Sequence, residues 1–551
     1  MQEIAGESCD SGRVTTILCG RQGVRPILWP PRPHKFAQIT PDSVHYIQPP
    51  RRRQPRANTA PRDSTVAPPG GAKYINNRHK GAPMQLITGF SKSLNNIVWG
   101  IPMLILLIGT GIYLSVRLGF LQFRRFGFIM RQTVGRLFRH TKSRDGALTP
   151  IQALTTALAG TVGTGNIAGV AGAIALGGPG AIFWMWIAAL FGMCTKYAEI
   201  ILAVFYRRKN TKGDFVGGPM YYIRNGLGEK WQWMAALFCV FGMIAALGTG
   251  CMTQINTIAT SIGSVVTSFN PSTSRETLEF IYLVVGVCGA FLTILVLFGG
   301  LQRIGSVTEK LVPVMALVYI VGSLIVIIMH GNRVPGVLRM IVEGAFRPQA
   351  VSGGLAGVAI REAMKAGFGR GIFSNEAGLG TAPIAHAAAD VEDPVQQGMY
   401  GVFEVFADTI IICTLTALAI LTSGEAEAFY GKAAGTDLTI RAFSTAFGQR
   451  AASLLIAACI AMFAYSTLLS WSLYGGRCME FLFGERGLRV YQALYVVFVV
   501  IGASVRLDLV WQMADSMNAL MAIPNLFAVL LLSPKVVELS KKYFSREAEH
   551  G

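Results

Sequence analysis

Charge is what this sequence has little of. Asp and Glu number only 30 in 551 residues, and charged side chains of all kinds make up 14%, where soluble domains carry about 25%. An ordinary soluble body is therefore excluded, and the 52% hydrophobic content points to a polytopic membrane protein. The apolar segments contain neither a His-Glu-x-x-His zinc motif nor a Gly-x-Ser-x-Gly nucleophile turn. His386 has no serine or metal ligand beside it in sequence, so an intramembrane enzyme is disfavoured. No selectivity loop repeats along the chain, which argues against a channel. Seven of the nine cysteines (Cys194, Cys239, Cys251, Cys288, Cys413, Cys459 and Cys478) fall in apolar runs without paired or metal-ligand spacing, and read as small packing residues.

What is present is a series of apolar runs near the roughly 20 residues that cross a bilayer as a helix. Eleven are expected, at about 96–116, 149–176, 180–206, 232–262, 279–299, 306–330, 355–389, 397–423, 450–483, 487–504 and 508–533. Residues 1–84 differ in kind, with 12 of the 24 prolines and 13 Lys/Arg against 5 Asp/Glu. That composition builds no core, lacks the apolar stretch of a signal peptide, and carries no folded nucleic-acid-binding module. It reads as a disordered or artefactual extension, with Met84 as an alternative start. Between the first two runs, eight basic residues from Arg117 to Arg144 face one acid, Asp145. The positive-inside rule places that loop in the cytoplasm, which puts the N-terminus outside and the tail 534–551 in the cytoplasm.

Two runs carry breaks. Leu158-Ala-Gly-Thr-Val-Gly-Thr-Gly-Asn-Ile-Ala-Gly169 has four glycines in ten positions, each costing roughly 1 kcal/mol of helix propensity relative to alanine. Phe373-Ser-Asn-Glu-Ala-Gly-Leu-Gly-Thr-Ala-Pro383 interrupts a second run five spans later. Unwound backbone inside hydrocarbon is tolerated only where it lines a cavity. A first accessory helix (within 85–145) followed by two sets of five (146–330 and 355–533), each opening on a broken helix, gives an inverted repeat, because five is odd. That is the plan of a secondary transporter with its site at the breaks. Close helix packing through small residues is the competing explanation for the glycines.

Three separated segments resemble one family: Gly163-Thr-Gly-Asn-Ile-Ala-Gly-Val170, the loop Gly217-Gly-Pro-Met-Tyr-Tyr-Ile223, and Gly371-Ile-Phe-Ser-Asn-Glu-Ala-Gly-Leu-Gly-Thr-Ala-Pro-Ile-Ala-His386. They look like the alanine/glycine:cation symporters. The resemblance covers about 84–545 and implies an all-α LeuT-type fold of five plus five helices. It further implies a bacterial or archaeal inner membrane and sodium-driven uptake of small neutral amino acids such as alanine and glycine, with no organic cofactor.

An amino acid zwitterion in hydrocarbon needs both charges solvated by protein. A freed helix N-terminus offers N–H groups to the carboxylate, and Thr164 and Gly165, with Asn166 beside them, stand at the first break. Gln254 resembles the family's carboxylate contact; an interhelical hydrogen bond is its alternative. Phe373, Ser374 and Asn375 at the second break offer carbonyls to the ammonium, and Phe373 a wall that admits only a small side chain. Sodium prefers hard oxygens. Ser466 and Thr467 are similar to the hydroxyl pair of LeuT-type carriers, with the carbonyls of Ala159 and Val162 opposite. Glu376 either caps a half-helix beginning near Gly378 or binds a proton or cation, which keeps a proton-coupled carrier as the rival. Asp408, His386 and Glu199 with Lys196 are expected near helix ends or in polar networks.

Overall fold

In the computed structural model the described residues are 89, 93–136 apart from 96, 147–346, 360–505 and 508–550. The proline- and arginine-rich stretch 1–84 therefore lies outside them. The first described helix of any length, α1 (Ile101–Arg117), is apolar but only 17 residues long. Next come α2 (Pro150–Thr161) and α3 (Gly165–Gly177), a pair bent by 46° at the first glycine cluster. Thr149 starts α2 with a capping box: its hydroxyl accepts from Gln152 N–H while the Gln152 side chain accepts from Thr149 N–H, two terminal donors satisfied at once. The helix stops at Val162, whose φ/ψ of −77°/85° is not helical.

The chain continues through α4 (Gly180–Phe205), a two-residue hairpin of β1 (Arg208–Lys209) and β2 (Phe215–Val216), α5 (Pro219–Leu227), α6 (Glu229–Phe269), α7 (Arg275–Leu297), α8 (Gly300–Met329) and α9 (Val334–Phe346). The expected loop at 217–223 is thus a turn at Gly218 (φ 118°) followed by a helix that opens on Pro219, the residue whose missing N–H costs nothing there. Along its most apolar stretch α4 is 83% buried, against 28% for α7 and 33% for α8. The first is central, and the other two turn rows of Leu, Val and Phe outward, as lipid requires.

The second broken helix is α10 (Ile360–Asn375) and α11 (Ala382–His386). Between them Glu376 (φ 53°) and Gly378 (φ 91°) are left-handed, a conformation that costs an L residue such as Glu376 but not glycine. The expected half-helix start near Gly378 moves to Ala382, because these residues reverse the chain before a helix can restart. Then follow α12 (Pro394–Ser423), α13 (Thr436–Phe447), α14 (Gln449–Ser504), interrupted at Gly484 (φ 68°), and α15 (Asp508–His550). The segment 534–550, read from sequence as a tail, continues α15 as helix.

Seven of the described helices are long and apolar enough to cross a membrane, or eight with the bent pair. The second broken helix is not among them: its halves are 16 and 5 residues long, and α10 carries Arg361, Glu362, Lys365 and Arg370. The two broken helices meet: Leu148, just before α2, pairs with Ala389, just after α11. Arg207 donates to the carbonyls of Ala387, Ala389 and Val391, fastening that junction to the end of α4.

Candidate functional site

The two breaks face each other across one buried cavity. Gly163, Thr164 and Gly165 line it from the first break, Phe373, Glu376 and Leu379 from the second, Thr249 and Gln254 from α6, Thr467 and Trp471 from α14, and Asn518 from α15. Its free space is about 20 Å³, room for about one water. Thr164, Gln254, Glu376 and Thr467 are each under 5% exposed, so the polar groups that line it are shielded from solvent.

Backbone irregularity concentrates around it. Besides the breaks, π-turns interrupt three spans at Gly165–Gly169, Ala246–Met252 and Phe406–Cys413, a distortion common at functional sites. The first starts on the Gly165 of the cavity, and the second carries Thr249. Thr249 O accepts from Gln254 Nε2 at 3.0 Å, and Gln254 Oε1 accepts from the Thr164 hydroxyl at 3.3 Å. A Cβ on Gly165 would stand 3.5 Å from the Phe373 ring, so the first break and the phenyl wall are in van der Waals reach.

The four residues Thr164, Gly165, Gln254 and Phe373 therefore line the cavity together. Asn166, Ser374 and Asn375 turn their side chains elsewhere. Asn166 Oδ1 accepts from Gly163 N–H at 2.9 Å, and its Nδ2 donates to Asp408 Oδ1 at 2.6 Å. Ser374 donates to both Asp408 oxygens at 3.1 and 2.9 Å. Asn375 Nδ2 donates to Thr409 Oγ1 at 3.1 Å, and Asn375 Oδ1 accepts from Ala377 N–H at 3.0 Å. Asp408, expected only near a helix end or in a polar network, sits within the third π-turn and ties both breaks to α12.

Glu376 does not cap a half-helix through backbone N–H groups. Its carboxylate accepts from Trp471 Nε1 at 3.1 Å and from Thr381 Oγ1 at 2.5 Å. The acid that receives a break N–H is Glu199, whose Oε2 accepts from Gly378 N–H at 3.2 Å and whose Oε1 accepts from Asn525. Lys196 pairs instead with Glu404 at 3.3 Å, and Glu404 also binds His386 Nε2 at 3.1 Å. All three of these side chains are fully buried.

The hydroxyl pair meets the first break. Ser466 Oγ lies 3.4 Å from Ala159 O and donates to Phe463 O at 2.8 Å; Thr467 Oγ1 donates to Phe463 O at 3.0 Å. A Cβ on Gly163 would fall 2.6 Å from Thr467 Oγ1, so only glycine lets the unwound backbone pass that hydroxyl. Val162 is buried at the point where α2 ends. Ser466 Oγ thus stands beside Ala159 O and Thr467 Oγ1 beside the Gly163 backbone, hydroxyl and carbonyl oxygens being hard donors.

Trp471, Asn518, Thr249 and Leu379 also line the cavity and were not singled out from sequence. Trp471 carried a signal, since it lies one helical turn after Thr467 on the same face. Asn518 carried none, because only the packing of α15 against the π-turn of α6 brings its Nδ2 to 3.0 Å from Thr249 Oγ1.

The sodium/alanine symporter AgcS of Methanococcus maripaludis is 41% identical over 455 residues, covering 82% of this chain and 96% of the relative. A probable sodium/glutamine symporter, GlnT of Bacillus subtilis, is 38% identical over 460 residues, covering 83% and 90%. The crystal structure of MhsT in complex with L-phenylalanine superposes with a TM-score of 0.50 over 72% of this chain and 99% of MhsT at 10% identity, a likeness of fold alone. The relatives are transporters, not enzymes. With the sodium:alanine symporter family model matching residues 84–551, the chain belongs to the sodium:alanine symporter family.

Proposed function

We propose that this protein is a sodium-coupled symporter that carries small neutral amino acids such as alanine and glycine across a bacterial or archaeal inner membrane by alternating access. The observation that carries this reading is the cavity shared by both breaks, with the Ser466/Thr467 pair against the first. In this reading Thr164 and Gly165 amides and Gln254 hold the carboxylate, and the second break from Phe373 to Asn375 supplies carbonyls to the ammonium. Asn166 and Ser374 act through Asp408 to hold those backbones in place. Phe373, Leu379 and Trp471 limit the side chain to a small one. Sodium binds among Ala159 O, Val162 O, Ser466 Oγ and Thr467 Oγ1.

The architecture of the proposal is eleven spans: α1 as the accessory helix, then two inverted sets of five, with α14 counted twice across Gly484. The N-terminus lies outside and α15 ends in the cytoplasm, in keeping with the basic residues Arg117, Arg124, Arg125, Lys535, Lys541 and Lys542 on that side. The AgcS relative by its name supports sodium and alanine, and the GlnT relative supports a somewhat larger neutral substrate.

One observation favours a second reading, proton coupling: the Glu376 carboxylate lines the cavity itself. Radiolabelled alanine uptake into proteoliposomes separates the two. Uptake under a sodium gradient at equal pH supports the symporter as proposed. Uptake under a pH gradient without sodium overturns it in favour of Glu376 as the coupling group. Recovery of a chemically changed product would overturn both.

A further inference from the structure

A second cavity, of about 450 Å³, opens where the C-terminal end of α1 meets α15. Arg117, Arg124, Arg125 and Lys541 line it, and among the described residues no acidic side chain does. The concentration of cations is produced by the fold. Gly119 (φ 63°) and Phe120 (φ 53°) are consecutive left-handed residues that turn the chain after α1, so that Arg124 at the end of the short helix Leu121–Arg124 and Arg125 just after it line the same cavity as Arg117. Residue 541 comes from more than four hundred positions later.

The partners of the three guanidinium groups among the described residues are neutral. Arg117 Nη1 donates to Tyr113 OH at 3.0 Å, Arg124 Nη1 to Gly119 O at 3.4 Å, and Arg125 stacks 5.2 Å from the Phe544 ring centroid. None of the four cations forms an ion pair with a described residue. Four like charges gathered around one opening repel each other, so the arrangement calls for an anion, and guanidinium forks match phosphate oxygens in pairs. The surroundings name the source of the phosphate. Val116, Phe120 and Phe123 are 58%, 42% and 56% exposed next to the cations in sequence, and the exposed Tyr113, whose hydroxyl accepts from Arg117, is the kind of amphipathic ring that sits at headgroup depth. An apolar setting for a basic pocket between membrane helices suits a lipid whose head is anionic and whose chains lie along the helix.

We propose that this cavity binds the phosphate of an anionic phospholipid and thereby fastens the α1 turn to α15. The site is independent of which amino acid or cation the protein carries.

The test uses the full chain purified in neutral detergent, with phosphatidylglycerol, phosphatidylcholine or inorganic phosphate added. Thermal unfolding and native mass spectrometry are the readouts. Phosphatidylglycerol is expected to raise the unfolding midpoint by several degrees and to remain bound, while phosphatidylcholine does neither. The combined variant Arg124→Gln/Arg125→Gln/Lys541→Gln is expected to lose both effects, and Lys541→Arg to keep them. All three replaced side chains are exposed; the single variant Arg117→Gln, read by lipid retention alone, covers the case of a triple variant that unfolds. Equal effects of the two lipids, or full retention of phosphatidylglycerol in both charge-removal variants, would overturn the proposal. Inorganic phosphate reproducing the whole shift would reassign the site to a soluble anion and overturn the lipid.

Discussion

At the scale of single residues, two positions carry the most direct consequences. Gly165 stands where a Cβ would already meet the Phe373 ring at 3.5 Å. One methyl group is ordinary contact, but a larger side chain enters a cavity of about 20 Å³. Gly165→Leu is expected to lower labelled alanine binding at least a hundredfold, about 2.7 kcal/mol, while the purified variant stays monodisperse; unchanged affinity would remove the first break from the substrate site. Thr467 offers the hydroxyl closest to the unwound backbone. Thr467→Ala is expected to raise the sodium concentration for half-maximal uptake about tenfold, roughly 1.4 kcal/mol, and Thr467→Ser to restore it. A sodium dependence untouched by the alanine variant would take this hydroxyl out of the cation site. Both positions were legible in sequence, because the glycine cluster and the paired hydroxyls are local patterns within apolar runs. The helix-restart role read for Glu376 was not, since its acceptor geometry depends on Trp471, 95 positions away.

At the scale of elements, the joint between the breaks and α12 decides how rigidly the cavity is framed. Asp408 accepts from Asn166, Ser374 and Thr409, so one carboxylate satisfies donors from three elements. Asp408→Ala leaves those donors buried without their acceptor. A buried unsatisfied donor costs about 1–3 kcal/mol, and the variant is expected to lose several kcal/mol of stability, seen as a lower unfolding midpoint, along with uptake. A variant with wild-type unfolding and transport would show that the breaks hold their shape without this joint. No sequence spacing announces such a joint: Asp408 and Asn166 are 242 positions apart. The extent of α15 was hidden for a different reason. The sequence reading ends the last span at 533 and leaves 534–551 as a tail, yet the helix carries Pro534 in its interior and proceeds to His550, giving up the backbone hydrogen bond that a proline cannot donate.

At the scale of the whole molecule, buried charges clamp helices distant in sequence. Lys196 of α4 and His386 of α11 share Glu404 of α12, holding the restart of the second broken helix to the central span. Lys196→Met strands Glu404 without its cation, and removing one partner of a buried pair costs about 3–5 kcal/mol. The single variant is expected to express poorly or unfold early, whereas Lys196→Met/Glu404→Gln recovers most of the loss. If the double variant is as unstable as the sum of its parts, measured by thermal unfolding in detergent, the two side chains act separately. A second clamp, from Glu199 through Asn525 to Tyr222, joins α4, α15 and α5 beneath Gly378.

The amino-acid order by itself determined that this chain lives in a membrane, where its two helices break, and which glycines and hydroxyls stand at the breaks. Those properties follow from hydropathy and backbone propensity, which act over one or two turns. Only the tertiary structure decided which polar side chains face the cavity and which brace it from behind. Asn166, Ser374 and Asn375 are chemically as fit for a ligand as Thr164 and Gln254, but helix packing turns the first three toward Asp408 and Thr409 and the last two toward one another. The direction of a side chain is set by its neighbours in space, and for these residues the neighbours lie tens to hundreds of positions away.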